Sequence, residues 1–117
     1  MADFFRVQTI QSAFVIELLL PDSIDPVEFD QINIGMLAEF DGKAGHGWVL
    51  DLTGVNYIGS AMLGLMVNIR QRVKSAGGTL VLCGMSKQLT EIFHTSSMQR
   101  LFTITKTRPE ALRVLGA

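Results

Sequence analysis

Apolar residues recur along this chain at two periods, and the switches between them outline its elements. Near the N-terminus, Phe5 to Ile10 and Phe14 to Leu20 are strand-sized apolar runs. Gln11-Ser12 between them predicts a tight hairpin turn, and Pro21 ends the second run. A helix is expected to start next. Asp25 is placed to accept from free first-turn N–H groups, and Pro26 suits the first helical position, where a missing donor costs nothing. Glu28 falls at the third position and completes a variant capping box. Val27, Phe29, Ile32, Met36 and Leu37 then follow near helical period, and Asp41-Gly42 closes the segment.

Trp48 to Leu52 is almost wholly apolar without alternation, the pattern of a strand covered on both faces in a parallel sheet. Thr53 to Gly59 predicts a loop and Ser60 to Val73 a helix with Met62, Met66, Ile69 and Val73 on one face. Ala76-Gly77-Gly78 stops that helix. Thr79 to Cys83 repeats the buried-strand pattern and ends at Gly84. Ser86 is positioned to cap a short helix reaching His94, Leu101 to Thr105 predicts an edge strand, and Pro109 to Leu115 a last helix with Thr107 or Arg108 near its cap. Two antiparallel strands followed by alternating helices and strands predict an α/β fold: a mixed sheet with about four α-helices packed mainly on one side.

The chain has 117 residues, which fits a single domain over 1–117. Its 48% hydrophobic and 18% charged content supports a packed core and argues against disorder. The formal net charge is -1 with Lys and Arg scattered, so no basic stripe marks a nucleic-acid partner. One cysteine, Cys83, excludes an internal disulfide and a cysteine-rich metal site. Met1 to Arg6 lacks the basic-then-apolar order of a signal peptide, and no apolar run approaches the ~20 residues needed to span a bilayer. A cytoplasmic protein with no direct membrane insertion is expected.

Candidate chemistry centres on Gly54-Val55-Asn56-Tyr57-Ile58-Gly59-Ser60. The loop follows a strand, opens a helix and has phosphate-loop glycine spacing, but Gly59 runs directly into Ser60 without the lysine of a nucleotide-binding loop. A helix N-terminus presents free N–H groups and partial positive charge, so it favours an anion. Ser60 at the N-cap either caps the helix or accepts a phosphate there. Elsewhere the chemistry is thin. His46 and His94 have no carboxylate spaced as co-ligand, so no metal or other cofactor is expected. Cys83 ends a core strand and reads as a small hydrophobe. Ser60, His94 and Asp51 have no spacing that supports a catalytic triad. Asp51, at a strand end, is expected either exposed or hydrogen-bonded to a loop. The six methionines read mostly as core filler.

Val49 to Gly64 resembles the central signature of STAS domains, and Ala76 to Gly84, Leu89 to Phe102 and Ser23-Ile24-Asp25 continue the resemblance over nearly the whole chain. Stand-alone members of that family are typically anti-sigma-factor antagonists. The resemblance implies a non-enzymatic domain, monomeric or weakly dimeric, whose partner is a serine-kinase anti-sigma factor with a histidine-kinase-like ATPase fold. Its unphosphorylated form would bind that partner and release a sigma factor, and phosphorylation of Ser60 would end binding. Asp25, Tyr57, Ile58, Gly59, Ala61, Met62 and Leu63 would form the partner surface. The family usually has an acid before the serine, where this chain has Gly59, and a hydroxyl residue then glycine after it, where this chain has Ala61 and Met62. Ala61 cannot take a phosphate, and Met62 is expected to add apolar surface beside the site. An alternative role in the same fold is an accessory STAS subunit of a membrane lipid-transport ATPase.

Overall fold

Every apolar run above needs cover, and the sheet supplies it on two faces. A computed structural model describes residues 3–116; Met1 and Ala2, part of the leader reading, lie outside them. The chain order is β1 (Phe5–Ile10), β2 (Ala13–Leu18), α1 (Pro26–Ala38), β3 (Gly47–Asp51), α2 (Ser60–Ser75), β4 (Thr79–Cys83), α3 (Lys87–Thr95), a 3-10 turn (Met98–Arg100), β5 (Thr103–Ile104) and α4 (Arg108–Val114). The sheet runs β1-β2-β3-β4-β5. β1 and β2 pair antiparallel through Ile10↔Ala13, while β2–β3, β3–β4 and β4–β5 are parallel. Parallel neighbours need a crossover, and α1, α2 and α3 provide the three.

Alternation along the strands divides the core. Ile16, Leu18, Trp48, Leu50, Leu52, Leu80 and Leu82 face α1, α2 and α3, meeting Ile32, Met36, Met66, Ile69, Leu89 and Phe93. Val15, Val49, Val81 and Cys83 face the other way and are covered by Ala111 of α4. Both sides of β3 and β4 are therefore dry, which is why neither strand alternates in sequence. Three helices on one side and a single short one on the other give the expected mixed sheet with helices mainly on one side. Among the described residues no helix is long and apolar enough to cross a membrane.

Local signals account for most boundaries. The α1 capping box forms as its residues dictate: Glu28 N donates to Asp25 Oδ1 at 2.8 Å and Asp25 N to Glu28 Oε1 at 3.0 Å. Ser86 caps α3 by accepting from Leu89 N at 3.1 Å, and Thr107 caps α4 by accepting from Glu110 N at 3.3 Å. At the hairpin, Gln11 itself takes the positive φ of 55° that glycine or asparagine would otherwise supply. The edge strand is shorter than its sequence pattern. Met98–Arg100 winds into a helical turn closed by Leu101 N donating to Met98 O at 3.0 Å, so pairing begins only at Thr103. The parallel strands β2, β3 and β4 deliver three loops to one edge of the sheet, the usual location of sites in open α/β sheets.

Candidate functional site

The loop after β3 is held by two kinds of contact. Val55 and Ile58 are 1% and 2% exposed and anchor it in the main core. At its base stands Asp51, the buried charged residue of the described chain. Asp51 Oδ1 accepts from Thr53 N at 3.0 Å and from Thr53 Oγ1 at 2.5 Å. Its other oxygen, Oδ2, accepts from Arg108 Nε at 2.9 Å and lies 2.8 Å from a terminal guanidinium nitrogen. That nitrogen also donates to Glu17 Oε2 at 3.3 Å, and Glu17 is the direct cross-strand partner of Asp51. Burial by itself would raise the Asp51 pKa. The Thr53 hydroxyl and amide, then Arg108, outweigh it and hold the carboxyl below its ordinary value. Asp51 is therefore hydrogen-bonded to the loop, the second of the two expectations for it.

The node also shapes its neighbours. Burial, reinforced by the negative charge of Asp51, pushes the Cys83 thiol up to about 12, so the sulfur stays protonated and inert, in keeping with its reading as a core residue. Gly84 takes a φ of +76°, and a Cβ there would stand 2.4 Å from Thr53 Oγ1 and 2.8 Å from Asp51 Oδ1. Left-handed strain and overlap act together, so Gly84→Ala should cost about 2 kcal/mol. A urea melt checks this; a midpoint equal to that of the unsubstituted chain would show that Thr53 moves aside freely.

Beyond Val55, whose amide donates to Leu52 O at 3.0 Å, the next backbone amide bonded to backbone among the described residues is that of Leu63, donating to Gly59 O at 3.1 Å. Ser60, Ala61 and Met62 thus carry the free first-turn amides of α2. The structure corrects one expectation here. The N-cap is Gly59, in extended conformation and with no side-chain cap, so Ser60 is the first helical residue and does not cap. Its side chain is exposed, and no acidic residue occupies the first turn to offset the positive end of the helix.

Two grooves flank this turn. One, of about 240 Å³, is lined by Pro21, Ile24, Phe29, Tyr57, Ile58 and Met62, with Asp22 as the charged residue in its wall. The other, open and about 480 Å³, runs between Tyr57, Ser60 and Leu63 on one side and Glu91, Ile92 and Thr95 of α3 on the other. Neither contains a lysine or arginine.

Tyr57, Gly59, Ser60 and Ala61 therefore stand together at the surface, with Tyr57 half exposed. Met62 does not add apolar surface. It is 2% exposed, because the helical period that aligns it with Met66 and Ile69 turns it into the core. Ile58 and Leu63 are buried in the same way, so they shape the groove walls from below. Asp25 is exposed, but its carboxylate is engaged in capping α1, one residue beyond the groove edge. Ile24, Phe29 and the α3 residues escaped the sequence reading. The α3 set had a usable signal, since Thr95 lies three residues past Ile92 and four past Glu91, which puts it beside both on the helix surface.

A profile of the STAS domain family matches residues 5–111. A candidate anti-sigma factor antagonist of Bordetella bronchiseptica, BtrV, is 27% identical over 88 residues, covering 75% of this chain and 75% of its own. Among solved structures, an anti-sigma-factor antagonist STAS domain protein of Planctomyces limnophilus superposes with a TM-score of 0.84 at 26% identity, covering 97% of this chain and 98% of its own. The anti-sigma factor antagonist SpoIIAA in its unphosphorylated form superposes at 0.73 with 18% identity, covering 97% of each chain, a likeness of fold.

Proposed function

The chain belongs to the STAS domain family, and on that premise we propose that it is an anti-sigma-factor antagonist switched by phosphorylation of Ser60. Its unphosphorylated form binds a serine-kinase anti-sigma factor in the cytoplasm and frees a sigma factor. It acts as a binding domain and not as a catalyst. The partner covers the turn from Tyr57 to Ala61 and enters the two grooves beside it.

The observation that carries this reading is the setting of Ser60. Its hydroxyl is exposed at the first position of a 16-residue helix, among free amides and between grooves lined by no cation. A phosphoserine there brings about -1.5 to -2 charges. The helix end accommodates them in the free protein, whereas a partner packed over the turn must bury them unpaired. Relatives named as antagonists favour this role over the accessory-subunit role in lipid transport.

Phosphopeptide mass spectrometry after incubation with a candidate kinase and ATP tests the proposal. Phosphate is expected on Ser60 and is expected to vanish in Ser60→Ala. Modification confined to Ser86, Ser96 or another exposed hydroxyl would reject Ser60 as the acceptor.

A further inference from the structure

The loop that carries Tyr57 and Ser60 is tied to the opposite face of the sheet, and the tie passes through one carboxylate. Asp51 uses Oδ1 for Thr53 and Oδ2 for Arg108. Arg108 is the first residue of α4, the helix whose Ala111 packs on Val15, Val49, Val81 and Cys83 behind the sheet. The loop lies on the other side, with Val55 and Ile58 in the main core. We infer that Arg108 is a positioning residue for the Ser60 loop, holding through Asp51 and Thr53 the conformation that the partner binds.

Three observations support the inference. First, the loop has little else polar to hold it. Past the Thr53 bonds and the Val55 amide, no backbone amide from Asn56 to Met62 donates to the backbone among the described residues. Second, the carboxylate is walled in on the β4 side. Gly84 lies so close to it that a Cβ would fall 2.8 Å from Oδ1, Cys83 beside it is fully buried, and Glu17, its cross-strand neighbour, repels it unless Arg108 stands between them. Third, Arg108 is fixed by both carboxylates. Arg6 reaches only the outer side of Glu17, at 4.0 Å, and is itself exposed. Without Arg108, Asp51 loses its cation, and Glu17 beside it keeps only the long contact with exposed Arg6. Asp51 must then rotate toward water or take up a proton, and either change weakens its grip on Thr53. A loop ordered in advance binds more tightly than one that must be ordered on binding, so Arg108 sets partner affinity without touching the partner.

For its biological consequence the inference rests on the proposed function, but it can be tested without a partner. The full chain is compared with Arg108→Gln, Arg108→Lys, Thr53→Val and Asp51→Asn by amide exchange and backbone relaxation. In Arg108→Gln, exchange at the Thr53 and Val55 amides should rise about tenfold relative to the Leu50 and Leu82 amides. Order parameters from Asn56 to Gly59 should fall from about 0.85 toward 0.6. Thr53→Val, which leaves α4 untouched, should loosen the same segment, and Arg108→Lys should restore part of the order. In an Asp51→Asn background, Arg108→Gln should add no further loosening of the loop. Faster exchange confined to residues 108–114, or additive effects of the two substitutions, would overturn the inference.

Affinity for the partner kinase should fall about tenfold in Arg108→Gln and stay near that of the unsubstituted chain in Arg108→Lys. If the loop loosens with affinity unchanged, the positioning role is wrong while the switch stands. If the unsubstituted chain binds no kinase, the switch fails, and the exchange data still decide whether Arg108 holds the loop.

Discussion

Ser60→Asp is expected to weaken binding of the partner kinase by a hundredfold or more, while Ser60→Ala binds like the unsubstituted protein and can no longer be switched off. In the free chain the new carboxylate meets free amides and the positive end of α2, with no acid in that turn to repel it. Such a charge is worth about 0.3–1 kcal/mol in favour of folding, so the variant should melt no lower than the parent. The bound state differs. The groove walls offer Asp22 and Glu91 and, among the described residues, no cation, so a charge buried under the partner there meets no counter-ion from the groove walls. An unpaired buried charge costs several kcal/mol after relaxation, and each 1.4 kcal/mol is tenfold in affinity. Isothermal titration with the kinase measures both variants. Equal affinities for Ser60→Asp and Ser60→Ala would end the switch reading.

Asp51→Ala should destabilise the fold by about 3 kcal/mol, the cost of breaking a buried pair from one side. The substitution leaves the Arg108 guanidinium, whose side chain is 25% exposed against 8% for Asp51, with only its longer bond to Glu17, and removes the acceptor of both Thr53 donors. For a domain of this size, that corresponds to a fall of roughly 10–20 °C in melting temperature. The same node predicts acid sensitivity. The folded-state pKa of Asp51 is lowered from 3.8, so the folded state binds its proton less readily than the unfolded one. The ionised carboxylate therefore contributes stability that is fully present above about pH 4 and is lost as pH falls through the lowered folded value. In Asp51→Asn the parent's loss below pH 4 should shrink, while the variant starts from lower stability at neutral pH. Urea midpoints from pH 2.5 to 7 compare the two; parallel curves would mean that Asp51 is not an acid-sensitive anchor.

Most of the framework was legible because its signals are local. The capping box at Asp25 and Glu28, the Ser86 cap and the unbroken apolar runs of β3 and β4 each specify an element from within a few residues. The helical period of α2 also held the answer for Met62, since a residue in register with Met66 and Ile69 must point inward. Lying two residues from exposed Ser60 does not bring it to the surface, because at 3.6 residues per turn the two side chains point to opposite sides of the helix. The N-cap of α2 slipped by one residue, to Gly59, because glycine and serine both serve at that position and only backbone dihedrals separate them.

The Ser60 turn was visible in sequence as a loop between a buried strand and a helix. Its resemblance to the STAS signature carried it from a helix start to a candidate control point. Its surroundings were not visible. Phe29 and Ile24 reach the first groove from α1 and the loop before it, and Glu91 and Ile92 wall the second from α3. The Asp51–Arg108 pair joins residues 57 positions apart, and no periodicity or spacing relates them. By itself the sequence determined the elements, their order and the place of the Ser60 loop, since caps, turns and apolar periods act over one or two helical turns. Which side chains close around that loop, and which are lost to the core, was decided only by tertiary packing. Burial and charge pairing depend on which distant segments the sheet brings to the same edge.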